Sequence, residues 1–314
     1  MGEAASPALT LLAASTVSAG LVSAGLVSAG LVSAGLASAV LAPLATLNAL
    51  ARLEAVKVGT NLAYGDGPRH GMDVFTPRGA KDSRPVVVFF YGGGWEEGER
   101  ASYRFVGAAL ASRGIVTFVP DYRVYPQVRF PGFIEDGASA VRWVQANAGR
   151  FGGSPDRIVL AGHSAGAHIA AMLAFDPQWL AREGVDARRD IAGFAGLAGP
   201  YDFLPLRSAT LMDIFGPEAQ RGRTQPINVV SGDRCPAFLA TGARDTTVEP
   251  GNTDRLACRI RALGGDATTR HYAGADHRTL LGALARPLRF IAPVLDDVTS
   301  FVERVTTPES RRWA

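Results

Sequence analysis

The segment Gly162-His163-Ser164-Ala165-Gly166 joins two stretches of different character, and that junction constrains the fold of this 314-residue chain most tightly. Before it, Arg157-Ile158-Val159-Leu160-Ala161 is short, apolar and β-branched, as a strand buried on both faces should be. After it, Ala165, Ala167, Ile169, Ala170, Ala171, Met172 and Leu173 are mostly good helix formers. A serine at such a strand-to-helix junction sits on a sharp turn that lifts its Oγ above the sheet edge. Glycines on both sides permit the turn, because a Cβ there would strike neighbouring backbone. The backbone N–H of Ala165 then opens a helix and points where an oxyanion could form.

A five-residue pattern of this kind arises by chance in Gly- and Ser-rich chains, so its context decides what it means. Upstream, Pro85-Val86-Val87-Val88-Phe89-Phe90 reads as another buried strand and runs into Tyr91-Gly92-Gly93-Gly94-Trp95. Three consecutive glycines carry no packing and cost conformational entropy. Bare N–H groups that approach a substrate oxygen would account for them. The expected donors are Gly93 and Gly94, open by one residue, with Ala165 as the third.

A serine nucleophile on this turn requires a base and an orienting acid downstream, in the order acid then histidine. Only His271 and His277 lie well beyond Ser164. His271 falls within the strand-like run Thr268–Tyr272 and reads as a strand side chain. His277 follows on the loop Ala273–Asp276, before a helix expected near Thr279, and is the candidate base. Pro236 to Gly242 reads as a strand, and Asp245 stands in the loop that leaves it, where catalytic groups gather in open α/β sheets. Asp245 is the expected acid. Asp276 is too close to His277 along the chain to face it, and Asp233 precedes the strand.

Taken together, Tyr91-Gly92-Gly93-Gly94-Trp95, Asp121-Tyr122-Arg123, the Ser164 pentapeptide, Asp245 and His277 resemble the α/β-hydrolase esterases of bacteria. The likeness is strongest to the BD-FAE-like carboxylesterases, which also resemble hormone-sensitive-lipase-type esterases, kynurenine formamidases and prenylcysteine methylesterases. It covers about residues 55 to 305. The resemblance implies an α/β-hydrolase fold and a serine hydrolase with the triad Ser164, Asp245 and His277. It implies ester substrates of small or medium acyl chains, and no cofactor. An arylformamidase-type amidase would use the same three residues, and a catalytically silent binding protein of the same fold is the third reading. The chain departs from the hormone-sensitive-lipase pattern at Tyr91, where that pattern has a histidine bracing the glycine loop.

The rest of the chain fits one α/β domain over 53–310, with alternating buried strands and helical segments at Arg104–Ser112 and Ile134–Ala148. Ile115–Val119 reads as a further strand, and Val56–Tyr64 and Gly71–Phe75 as antiparallel strands at the edge of a mostly parallel sheet. Asp121 and Arg123 are expected to pair beside the glycine loop. The irregular stretch between Gly199 and Gly232, with Phe203, Leu211, Ile214 and Phe215, is expected to form a small cap lining an acyl pocket. His163 is expected to pack beside the nucleophile and His168 to lie on a helix face. No role falls to His70. The formal charge is only +3 and the basic residues are scattered, which gives a nucleic-acid partner little support. No C-x-x-C or H-E-x-x-H spacing marks a metal site. Cys235 and Cys258 read as free and buried. The oligomeric state leaves no trace in the sequence.

Residues 1–52 form a separate segment. No charge occurs from Ala4 to Ala51, and Leu-Val-Ser-Ala-Gly recurs at Leu21, Leu26 and Leu31. A five-residue period turns a helix by about 140° per repeat, so the leucines spiral around it. Such all-round apolar character over 8–50 suits a membrane anchor, with small residues spaced for close helix packing. An export segment and a disordered extension are the alternatives. Arg52 and Lys57 would hold the flank of an anchor in the cytoplasm.

Overall fold

The computed structural model describes residues 44–79, 83–231 and 234–307. The chain divides into units of residues 1–46 and 47–314, and the second carries the fold. The repeats, the candidate anchor up to residue 43, and Asp233 lie outside the described residues. No helix among the described residues is long and apolar enough to cross a membrane.

Eight strands form one sheet: β1 (Val56–Ala63), β2 (Gly71–Pro77), β3 (Arg84–Phe90), β4 (Val116–Pro120), β5 (Gly153–His163), β6 (Ile191–Leu197), β7 (Ala237–Gly242) and β8 (Ala267–Tyr272). Their spatial order is β1-β2-β4-β3-β5-β6-β7-β8. β1 pairs antiparallel with β2, and β2 with β4; every pair from β4 through β3, β5, β6 and β7 to β8 is parallel. β4 and β7 are buried throughout and β3 through its last five residues, consistent with the Val- and Phe-rich runs that need cover on both faces. β1 is open to solvent along most of its length, as an edge strand can be.

Parallel neighbours require crossover helices. α1 (Arg104–Ser112) links β3 to β4, α2 (Gly132–Asn147) links β4 to β5, and α3 (Ala165–Phe175) links β5 to β6. α4 (Ala209–Phe215) lies in the long β6–β7 connection, and α5 (Gly251–Ala262) joins β7 to β8. α6 (His277–Gly282) and α7 (Val294–Val305) follow β8. α2 packs on α3, while α7 packs on α1 and β6. All eleven residues of α3 are buried, which its apolar character on every side makes favourable.

β6 carries no strong strand signature because it reads Ile-Ala-Gly-Phe-Ala-Gly-Leu. The small residues answer to packing: a Cβ on Gly196 would lie 2.0 Å from the Tyr201 hydroxyl. His277 opens α6, so the helix begins two residues earlier than Thr279. Asp276 caps it, accepting from the N–H groups of Arg278 at 3.0 Å and Thr279 at 2.8 Å, which removes Asp276 as a partner for the base. Both cysteines are free, but only Cys235 is buried; Cys258 faces solvent on α5, against expectation.

α1 lies so close to β2 that a Cβ on Gly107 would sit 2.2 Å from the ring of the fully buried Phe75. Gly107→Ala should therefore lower stability by about 1–3 kcal/mol, since overpacking here outweighs the gain in helix propensity. Urea unfolding measures it, and an unchanged or higher midpoint would contradict the packing.

Candidate active site

The C-terminal ends of β3, β5, β7 and β8 bring the predicted residues to one edge of the sheet. Ser164, the residue after β5, has φ 54° and ψ −126°, a conformation that non-glycine residues rarely adopt. Its N–H donates to Leu197 O at 3.0 Å, and its carbonyl accepts from the N–H groups of Ala167 at 2.9 Å and His168 at 3.2 Å. α3 starts hard against β3: a Cβ on Gly166 would stand 2.1 Å from Phe90 O and 2.3 Å from Tyr91 O. Glycine is the only residue that fits.

The glycine loop leaves β3 at this same point. Gly93 has φ 139°, and its carbonyl accepts from the N–H groups of Glu96 and Glu97, both at 3.0 Å. Among the described residues, the N–H groups of Gly93, Gly94 and Ala165 donate to no protein acceptor. Tyr91 holds the loop from beneath. Its phenol donates to Asp121 Oδ1 at 2.8 Å and accepts from Arg69 Nη2 at 3.0 Å, and its ring stacks on Tyr122 with centroids 4.7 Å apart. Tyr122 donates its hydroxyl to Tyr91 O at 2.7 Å, and Arg69 also reaches Gly98 O and Tyr122 O. Burial raises the Tyr91 phenol far above its ordinary value, so it stays a donor.

The expected Asp121–Arg123 pair does not form. The Asp121 carboxylate bonds Tyr91, the Arg100 N–H and the Arg100 guanidinium. Arg123 instead grips Asp136 of α2, at 2.6 Å from Nη2 and 2.9 Å from Nε. His70, given no role by the sequence, donates from Nε2 to the same Asp136 at 3.1 Å, while its Nδ1 accepts from the Gly67 N–H. Asp121 and Arg123 are each taken by a partner that the fold brings to them, Arg100 for Asp121 and Asp136 of α2 for Arg123. Arg69, Arg100 and Asp136 escaped the sequence reading because only the Asp121-Tyr122-Arg123 end of the network is contiguous.

On the far side of Ser164, His277 Nδ1 donates to Asp245 Oδ2 at 2.7 Å. Asp245 Oδ1 accepts from the N–H groups of Thr247 at 2.8 Å and Val248 at 2.9 Å. Burial alone would raise the Asp245 pKa, but these bonds outweigh it and hold the carboxyl below its usual range. The two loops are stitched together by Ala243 N–H to Tyr272 O and Arg244 N–H to Ala275 O. Among the described residues Ser164 Oγ makes no hydrogen bond to His277, whose side chain bonds Asp245. The contact comes one residue earlier, where His163 Nε2 donates to His277 O at 2.9 Å and the two rings lie 4.7 Å apart.

His168 is wholly buried and donates from Nε2 to Thr224 O at 2.8 Å, tying α3 to the β6–β7 connection. That connection folds over the loop end of the site. Phe215 of α4 meets Trp95 edge-on at 4.8 Å and His168 at 5.7 Å, and Phe203 stacks on Trp95 at 5.7 Å. Phe215 and Ile214 are buried, Leu211 is half-buried, and Met212 is exposed, so the connection covers the aromatic cluster with one side only.

The strand order, the parallel core and the placement of Ser164 at the end of β5 define an α/β-hydrolase fold. A truncated carbohydrate esterase from gut microbiota has the same fold, with a TM-score of 0.71 at 19% identity, covering 81% of this chain and 98% of that one. The family model described as BD-FAE matches residues 72–260, and the chain belongs to the BD-FAE family. A probable isoprenylcysteine alpha-carbonyl methylesterase of Arabidopsis thaliana is 30% identical over 268 residues, 78% of this chain and 56% of its own length. Esterase LipC of Mycobacterium tuberculosis is 33% identical over 222 residues, 64% of this chain and 54% of its own. The chain thus spans little more than half the length of these curated relatives. A second family model, described as a GLTT repeat (6 copies), matches residues 17–39.

Burial pushes His163 down to about 3 and His168 down to about 4, from 6.5. The unfolded chain therefore binds protons through pH 6.5 that the native state refuses until pH 3–4, so stability must fall as the pH drops across that window. Between pH 7 and pH 5 the loss should be about 2 kcal/mol for each histidine. Denaturant midpoints across this range would test it, and a flat profile would refute it. Tyr91→Phe, which strips one bond from Asp121 and one from Arg69, should cost about 1–2 kcal/mol by the same measurement.

Proposed function

We propose that this protein is a serine carboxylesterase working through Ser164, His277 and Asp245. The observation that carries the reading is the 2.7 Å bond from His277 Nδ1 to a buried Asp245, at the sheet edge where Ser164 holds a positive φ. His277 Nε2 takes the Ser164 proton as Oγ attacks the ester carbonyl. The N–H groups of Gly93, Gly94 and Ala165, free of protein acceptors, receive the developing oxyanion. Asp245 fixes the imidazole tautomer and stabilises the imidazolium. The alcohol leaves with the proton from His277, and water then cleaves the acyl-enzyme by the same roles in reverse. The methylesterase and esterase activities in the names of the two curated relatives support ester substrates. The connection that carries Phe203 and Phe215 packs over Trp95 beside the glycine loop, which supports its serving as a wall to an acyl site for small or medium groups.

Hydrolysis of p-nitrophenyl esters from acetate to palmitate, by wild type and Ser164→Ala, tests the reading. Turnover should fall about 10⁴-fold or more in the variant and peak at short to medium chains. Ester turnover that survives in Ser164→Ala would overturn the assignment. Cleavage of N-formylkynurenine with none of the esters would make the enzyme an amidase on the same residues.

A further inference from the structure

We infer that His163 is a positioning residue that sets the distance between the base His277 and the nucleophile Ser164. This rests on the triad reading above and adds a part to it. His163 is the last residue of β5, in register with Leu197 of β6, so its backbone is fixed by the centre of the sheet. Its side chain, 6% exposed, crosses to the neighbouring loop and donates from Nε2 to the carbonyl of His277 at 2.9 Å. A carbonyl can only accept, so Nε2 carries the proton and Nδ1 presents a lone pair. That Nδ1 is buried without a partner and lies against the glycine loop, 3.1 Å from where a Cβ on Gly92 would stand. The ring is wedged between the base and the glycine loop.

The other anchors of His277 do not do this job. Asp245 fixes the rotation of the imidazole, and Asp276 fixes the start of α6. Both belong to the β7 and β8 loops and leave their separation from Ser164 unspecified. Among the described residues, the His163 bond is the hydrogen bond that joins the Ser164 turn to the His277 loop. Burial also keeps His163 neutral at every working pH, so its ring, 4.7 Å from that of His277, does not repel the imidazolium formed during turnover. A cation there would.

The test separates the hydrogen bond from the bulk. A Gln side chain can place its amide N–H near the position of Nε2, whereas Asn reaches only about as far as Nδ1. His163→Leu and His163→Asn should lower kcat about 10- to 100-fold, as loss of reacting geometry does, with KM changed less than about threefold. His163→Gln should recover most of the loss. Inactivation by a p-nitrophenyl phosphonate, which reads Ser164 activation without deacylation, should slow in step with kcat. Wild-type kcat in folded His163→Leu would overturn the inference, and so would His163→Gln falling as low as His163→Leu. If the Leu variant does not fold, the Gln and Asn pair decides. Ser164→Ala runs in parallel: activity surviving there fails the triad itself, whereas loss there with unaffected His163 variants fails this inference alone.

Discussion

A helix that begins within contact distance of a neighbouring strand's carbonyl oxygens is the constraint on which the site depends. β3 and β5 are parallel neighbours paired through Phe90 and Gly162, so both strands leave the sheet at the same level. α3 then turns back at once, and Gly166 passes Phe90 O and Tyr91 O with no room for a side chain. The close passage brings the free N–H of Ala165 beside the glycine loop, because both exits share one small volume. The positive φ at Ser164 costs about 1–3 kcal/mol. Burying every residue of α3 between the sheet and α2 offsets it, so the strain is held by the core rather than by the site.

A second set of interactions keeps the glycine loop from collapsing or swinging away. Tyr91 stands at the head of this loop, and the chemistry of its phenol suits it to hold the loop in place. A phenol that stays protonated can donate to Asp121 and accept from Arg69 at once, and its ring stacks between Tyr103 and Tyr122. Asp121, Asp136 and Asp73 are buried carboxylates, and each meets an arginine: Arg100 for two of them and Arg123 for the third. Partnered in this way, the burial of three charges is sustainable, whereas removing one arginine would strand a carboxylate. The loop that would hold an oxyanion thus rests on a satisfied polar layer above the apolar sheet.

Legibility followed locality. The Ser164 turn and the glycine run could be read directly, because their chemistry sits in contiguous residues whose glycines have no other explanation. Asp245 and His277 could be read because chain order and strand-end position leave few rivals, and Asp276 is occupied as a helix cap. β6 was illegible for a physical reason: Gly193 and Gly196 are dictated by Phe301 and Tyr201, residues distant or unpredictable from the strand itself. The polar layer was illegible too, since Arg69, Arg100 and Asp136 carry no local pattern and meet only through the fold. Asp121 and Arg123 do not pair because the fold brings each a partner from another part of the chain, Arg100 and Asp136.

Three imidazoles surround the Ser164 turn, and their environments divide the labour among them. His163 and His168 are buried and donate from Nε2 to backbone carbonyls, and desolvation penalises the protonated form of either by more than those bonds, or the charge of Asp245 near His163, give back. His277 alone of the three has a carboxylate against its ring, and Asp245 is itself held ionised by Thr247, Val248 and that same imidazole. On the proposed triad reading, a proton leaving Ser164 has one favourable destination. The neutral neighbours are what make the arrangement selective. His163 sets a hydrogen-bonded ring against His277 without offering a competing site for charge, while His168 ties α3 to the β6–β7 connection, and together they join a strand end and two loops in a single frame.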